Sequence, residues 1–137
     1  MKRTASAHWE GDLKTGKGNL STQSTTLNKT QFSFKTRFED GVGTNPEELL
    51  TAAHAGCFTM DIGANLAKAG FIATSLDTIA TLTLEGLDVK GIHLTITGKV
   101  PKLTSQQFIE FVRGSEKTCI ISKALSVPIT SEATLIN

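Results

Sequence analysis

The sequence contains no tyrosine, one tryptophan, three prolines and only two cysteines in 137 residues. Two cysteines are too few for a scaffold stapled by disulfides, and their wide separation is not a CxxC motif. Three scattered histidines, His8, His54 and His93, complete no metal-ligand spacing, which leaves no metal site to expect. No apolar run approaches the roughly 20 residues that a membrane helix needs. Polar residues and Trp9, not an apolar signal core, follow Met1-Lys2-Arg3-Thr4. Charge of one sign is also missing. Fourteen Lys and Arg face thirteen Asp and Glu, so nothing in the balance argues for nucleic acid or an anionic membrane as partner. These absences predict a soluble cytoplasmic protein, in which two cysteines are reduced, catalytic or inert.

What is present suits one globular domain over residues 1–137, with 39% hydrophobic and 20% charged residues. The first third reads as a β-meander. Thr4 to Glu10 is a strand, Gly16-Lys17-Gly18 a turn, Asn19 to Ser24 a second strand, and Asn28-Lys29-Thr30 another turn. Gln31 to Phe38 alternates, with Phe32, Phe34, Thr36 and Phe38 on one face and Ser33, Lys35 and Arg37 on the other. After the loop Gly41-Val42-Gly43-Thr44, Asn45 suits a helix N-cap, Pro46 the first turn, and Glu47 and Glu48 the positive dipole end. Glu48 also stands in capping-box spacing to Asn45.

That helix is predicted from Pro46 to about Ala69, with Gly70 as the stop. Its residues are small or apolar almost all round, which predicts a buried central helix. Phe71 to Glu85 and Ile92 to Val100 read as strands, joined through residues 86–91. Ile92, Leu94, Ile96 and Val100 share a face. Thr104 and Gln107 form a capping box for a second helix with a stripe of Phe108, Phe111, Val112 and Ser115. Thr118 suits the cap of a short helix beginning at Cys119, and Pro128 to Ile136 a last strand. Strands and helices are grouped, so the class is α+β, with further antiparallel strands after the long helix.

The chemistry centres on the cysteines. One reading is two buried cysteines acting as small hydrophobes. The reactive reading rests on Cys119 at a helix N-terminus, where the dipole favours thiolate. Cys57, mid-helix among apolar neighbours, has its pKa raised by burial and needs a cation to react; Asp61, one turn on, works against it. Arg37 is the candidate cation, against the alternative of a solvated strand arginine. Glu47 is explained equally by the helix dipole. His54 lies three residues before Cys57 on the same face and permits a Cys-His nucleophile pair; otherwise it is a hydrogen-bonded core residue. His8 and His93 read as strand-surface residues.

Several segments together resemble the OsmC (osmotically inducible protein C) family, its OsmC-like subgroup more than the organic hydroperoxide resistance proteins. They are Ala7-His8-Trp9-Glu10-Gly11, Thr36-Arg37-Phe38-Glu39, Gly43-Thr44-Asn45-Pro46-Glu47-Glu48-Leu49 and Ala52-Ala53-His54-Ala55-Gly56-Cys57-Phe58. The resemblance spans the chain. It implies an intertwined α+β homodimer with active sites at the subunit interface, working in oxidative and osmotic stress defence. It implies a peroxidase in which Cys57 is peroxidatic, Cys119 resolving, Arg37 the supporting arginine and Glu47 the carboxylate that holds it. It implies hydroperoxide substrates, organic ones preferred, and a dithiol reductant of lipoyl type. One departure is Cys119-Ile120-Ile121, where the family often has Cys-Pro-Val.

On this reading sulfur carries the redox change, so no metal, flavin or haem is required. Phe58, Met60, Phe108 and Phe111, near the cysteines in sequence, are expected to line an apolar substrate pocket. Glu47 and Cys57 are ten positions apart on one helix, about 15 Å along its axis. Glu47 of one chain is therefore expected to serve Cys57 of the other. The competing functions are a redox sensor or stress-binding protein, and a Cys-His hydrolase using His54.

Overall fold

Two runs of alternating sequence form two separate three-stranded sheets, one in each of two compact units, Met1–Leu49 and Leu50–Asn137. They are described from a computed structural model covering all 137 residues.

In the first unit, β1 (Ala5–Glu10), β2 (Lys17–Thr22) and β3 (Thr30–Phe32) form the expected antiparallel meander in that order. The first turn falls earlier than the glycines suggest. Asp12 caps it, accepting from the Thr15 amide at 2.8 Å, and so Lys17 and Gly18 are already in β2. Trp9 pairs with Gly18, and its ring meets that of Phe32 with centroids 5.4 Å apart.

The alternating segment from Gln31 to Phe38 is not a strand throughout. It leaves the sheet at Phe32 and becomes helix α1 (Phe34–Phe38). Ser33 and Thr36 form a reciprocal capping box, and Phe34 and Phe38, one turn apart, pack with centroids at 4.9 Å. Phenylalanines four apart satisfy helical and strand periodicity equally, and the local cap decides for the helix. Arg37 is therefore a helical residue.

Helix α2 (Pro46–Lys68) starts and stops where the sequence indicates. Asn45 Oδ1 accepts the Glu48 amide at 2.8 Å, and Gly70 adopts φ +89°. The Glu48 carboxylate accepts from the Thr44 hydroxyl at 2.6 Å in place of the expected return to Asn45. Burial is one-sided in the single chain. His54, Phe58, Ile62 and Leu66 are buried, whereas Ala53, Gly56, Met60, Ala64 and Ala67 form an exposed line, with Met60 77% exposed. No helix is long and apolar enough to cross a membrane.

In the second unit, β4 (Ser75–Glu85) and β5 (Asp88–Lys99) form a long hairpin turning at Gly86-Leu87, so the connection is two residues rather than six. Helix α3 (Ser105–Thr118) carries the expected Thr104–Gln107 capping box. The short α4 (Ile120–Ala124) follows, with Cys119 rather than Thr118 as its N-cap. The last strand, β6 (Ile129–Leu135), pairs with β5 in parallel, correcting the expectation of antiparallel strands alone. The intervening α3 and α4 supply the crossover that a parallel pair needs.

The core joins Phe58, Ile62 and Leu66 of α2, Ile92, Leu94 and Ile96 of β5, and Phe108 and Val112 of α3. Gly98 makes room for it. A Cβ there would lie 2.5 Å from the tip of the fully buried Phe108 ring. Gly98→Ala is expected to lower unfolding free energy by about 1–3 kcal/mol, the usual cost of overpacking, measured as a shift in the urea midpoint at unchanged slope.

Candidate active site

Cys57 lies in the middle of α2 and Cys119 at the break between α3 and α4. Both thiols are free, Cys57 half-buried and Cys119 fully buried. Cys119 Sγ donates to Cys57 Sγ at 3.1 Å. A disulfide bond is about 2.05 Å long, so roughly 1 Å of movement would join them.

The acidity of Cys57 reflects opposing influences. Burial pushes its thiol up, and the neighbouring Cys119 pushes the same way. The backbone N–H groups of Ile121 and Ile120 hydrogen-bond to it and pull down, without reversing the net rise. Sequence reasoning assigned the helix-start amides to Cys119. The cap residue's own side chain instead lies at the turn, while the first amides of α4 point back across the gap to Cys57. The net rise agrees with the one expected from the apolar setting of Cys57.

His54 does not pair with Cys57 as a general base would. Its Nε2 lies 2.7 Å from Ser122 Oγ, and both residues are buried. Burial holds the imidazole below its ordinary 6.5, so it is neutral at physiological pH. Asp61 turns its Oδ2 to the Thr118 hydroxyl at 2.5 Å and to Asn65 Nδ2 at 3.1 Å. Sequence reasoning missed Ser122 and read Thr118 only as a helix cap. Their only local signal is position, three residues after and one before Cys119.

In the first unit, Arg37 and Glu47 meet as their types allow. Arg37 Nε donates to Glu47 Oε1 at 2.6 Å, and Nη2 lies 2.6 Å from the same oxygen. The guanidinium also sits 5.4 Å from the centre of the Phe38 ring. Beside it opens a cavity of about 330 Å³ lined by Trp9, Leu13, Phe32, Phe34, Arg37 and Pro46. This apolar cavity differs from the pocket that sequence proximity suggested. Phe58 and Phe108 are fully buried in the core and line no opening, and Met60 projects outward. Phe111 borders a surface hollow, with Asn65, Lys68 and Thr118. His8 and His93 are surface residues of β1 and β5, with Glu10 and Thr130 as partners. Nowhere do three His, Cys, Asp or Glu side chains converge to hold a metal ion.

Two free thiols one short movement from a disulfide, with amides directed at one of them, define a dithiol redox site. The family model described as OsmC-like protein matches residues 38–133. Two relatives, each called Peroxiredoxin OsmC, from Escherichia coli strain K12 and from Shigella flexneri, are 41% identical over 134 residues. These cover 95% of this chain and 94% of each relative. Among solved structures, an OsmC-like protein of Vibrio cholerae superposes with a TM-score of 0.75 at 15% identity, over 97% of this chain and 99% of its own. The organic hydroperoxide resistance protein OhrB of Bacillus subtilis does so at 0.68 and 20% identity, over 97% and 98%. The chain belongs to the OsmC family.

Proposed function

We propose that the protein is a thiol-dependent peroxidase that reduces hydroperoxides in stress defence. The observation that carries this reading is the 3.1 Å separation of two free sulfurs on different helices. Cys57 thiolate attacks the distal peroxide oxygen. The O–O bond breaks, the distal oxygen with its hydrogen stays on sulfur as the sulfenic acid, and the leaving alkoxide or hydroxide takes a proton from solvent. Cys119 then displaces the hydroxyl as water, forming the disulfide. An external dithiol, for which a lipoyl-type compound is the candidate, returns both thiols and leaves as its own disulfide. A reducing cytoplasm is the compartment that suits such a cycle.

Arg37 and Glu47 complete the site in this reading, with Arg37 supplying the positive charge that Cys57 requires and Glu47 fixing its guanidinium. Helix α2 is unbroken from residue 47 to 57, so the pair of one chain is assigned to the cysteines of its partner in a homodimer. The exposed apolar line from Ala53 to Ala67 supports that assembly, since a second copy of the same face would cover it.

The apolar cavity beside Arg37 favours organic hydroperoxides, whose tails gain about 25 cal/mol per Å² of apolar surface buried. Catalytic efficiency with cumene hydroperoxide is expected to exceed that with hydrogen peroxide by at least about tenfold. Phe32→Ser should narrow that ratio. Equal efficiencies in the parent protein would exclude the cavity as the substrate pocket. The activity itself is tested by counting thiols after one equivalent of hydroperoxide. Two are lost per chain in a peroxidase and none in a hydrolase. Repeated turnover with added dithiol separates an enzyme from a sensor that oxidises once.

A further inference from the structure

Two polar contacts flank the cysteine pair, one on each side, and both tie α2 to the segment that carries Cys119. His54, one turn before Cys57, holds Ser122, one turn after Cys119, at 2.7 Å. Asp61, one turn after Cys57, accepts from Thr118, the residue before Cys119, at 2.5 Å. Asn65 shares the Asp61 oxygen at 3.1 Å and so fixes the carboxylate from its own helix.

The segment needs such holding. Cys119 has φ −55° and ψ 129°, outside helical geometry, so α3 ends there and α4 begins anew. Helix α4 has five residues, too few to be stable by itself. Ile120 follows Cys119, so no proline ring presets the first turn. Disulfide closure tolerates little error, because the Cβ atoms must come within about 4.5 Å and the bond has a preferred dihedral angle. His54 moreover keeps Nδ1 buried without a hydrogen-bond partner. A buried unsatisfied nitrogen is a cost to folding that an apolar residue would avoid.

We propose that His54–Ser122 and Asp61–Thr118 act as a two-point clasp that positions Cys119 for attack on the oxidised Cys57 and thereby sets the rate of disulfide closure. The proposal rests on the reading of Cys57 and Cys119 as the redox pair. In the step concerned, the Cys119 sulfur forms a bond to the Cys57 sulfur and the S–O bond of the sulfenic acid breaks. The thiol proton leaves with the hydroxyl as water, and no other reactant is consumed. The clasp residues exchange no proton or electron in this step. They are positioning residues, and their effect belongs to the second step, not to the first attack on peroxide.

The experiment is single-turnover oxidation of the full-length protein by one equivalent of cumene hydroperoxide. Sulfenic acid is trapped with dimedone, and disulfide is followed by intact mass. In Ser122→Ala and Thr118→Val, closure is expected to slow about tenfold or more, as small misplacements of reacting groups do. The first oxidation should stay within about twofold of the parent, so dimedone adduct and, at excess peroxide, sulfinic acid accumulate. His54→Gln and Asp61→Asn, which can keep a hydrogen bond to Ser122 and Thr118, should recover most of the closure rate. Thr118→Val preserves shape at the protein surface and serves if Ser122→Ala does not fold. Folded variants that close at the parent rate, or that slow both steps equally, overturn the clasp. So do conservative variants as slow as the truncated ones. A parent protein that loses no thiol overturns the redox pair itself, a result distinct from all of these.

Discussion

Cys57→Ser should lower peroxidase turnover on the order of 10³-fold or more, and Cys119→Ser should stop after a single oxidation. A serine hydroxyl at position 57 is neither a nucleophile toward peroxide at neutral pH nor able to form the sulfenic acid. With Cys119 removed, the sulfenic acid forms but has no neighbouring thiol at 3.1 Å to condense with. The two variants therefore differ in stoichiometry as well as in rate. One equivalent of cumene hydroperoxide should consume no thiol in Cys57→Ser and one per chain in Cys119→Ser, against two in the parent. Consumption of hydroperoxide by Cys57→Ser with dithiol at near the parent rate would falsify the assignment of the nucleophile.

The second large effect is a recovery. Glu47→Ala and Cys57→Ser homodimers should each be nearly inactive, the first because Arg37 loses the carboxylate that both Nε and Nη2 approach at 2.6 Å. In a heterodimer of the two, a site built from the Arg37–Glu47 pair of one chain and the cysteines of the other collects both defects at one position. The second site is left intact. About half the parent activity per dimer should return. Differently tagged chains, co-expressed and purified through both tags, provide the species to assay. A heterodimer as inactive as its parents would place the pair and the cysteines of one chain in the same site.

Elements with strong local punctuation were legible in the sequence. The run Asn45-Pro46-Glu47 marks the start of α2, and Gly70, at φ +89°, its stop. Thr104 and Gln107 mark α3 in the same way. Where two periodicities coincide, local reading chose wrongly. Phe34 and Phe38 suit a strand and a helix alike, and the Ser33–Thr36 cap that settles the matter is itself only four residues long. The direction of β6 was illegible because parallel pairing is set by how the chain returns across α3 and α4, not by the strand's own residues.

The candidate site divides along the same line. Cys57, Cys119, Arg37 and Glu47 stood out by residue type and family resemblance, and the structure joins Cys57 with Cys119 and Arg37 with Glu47. The partners of His54 and Asp61 did not stand out, since Ser122 and Thr118 lie 68 and 57 positions away in the chain. Phe58 and Phe108 line no opening, because nearness in sequence to a cysteine says nothing of direction. Phe58 follows Cys57 immediately, yet a one-residue step around a helix turns it by 100° into the core.

The unequal exposure of the two sulfurs bears on how the oxidised protein is recharged. Thiol–disulfide exchange begins with a thiolate approaching one sulfur while the other departs. Cys119 is wholly enclosed, with no accessible surface, whereas Cys57 retains an open side. In the proposed cycle an incoming reductant is therefore expected to meet Cys57 first, form its mixed disulfide there, and release Cys119 as the leaving group with the electron pair. The peroxide and the reductant of that cycle both approach the Cys57 sulfur, so they use the same doorway in turn and cannot occupy it together.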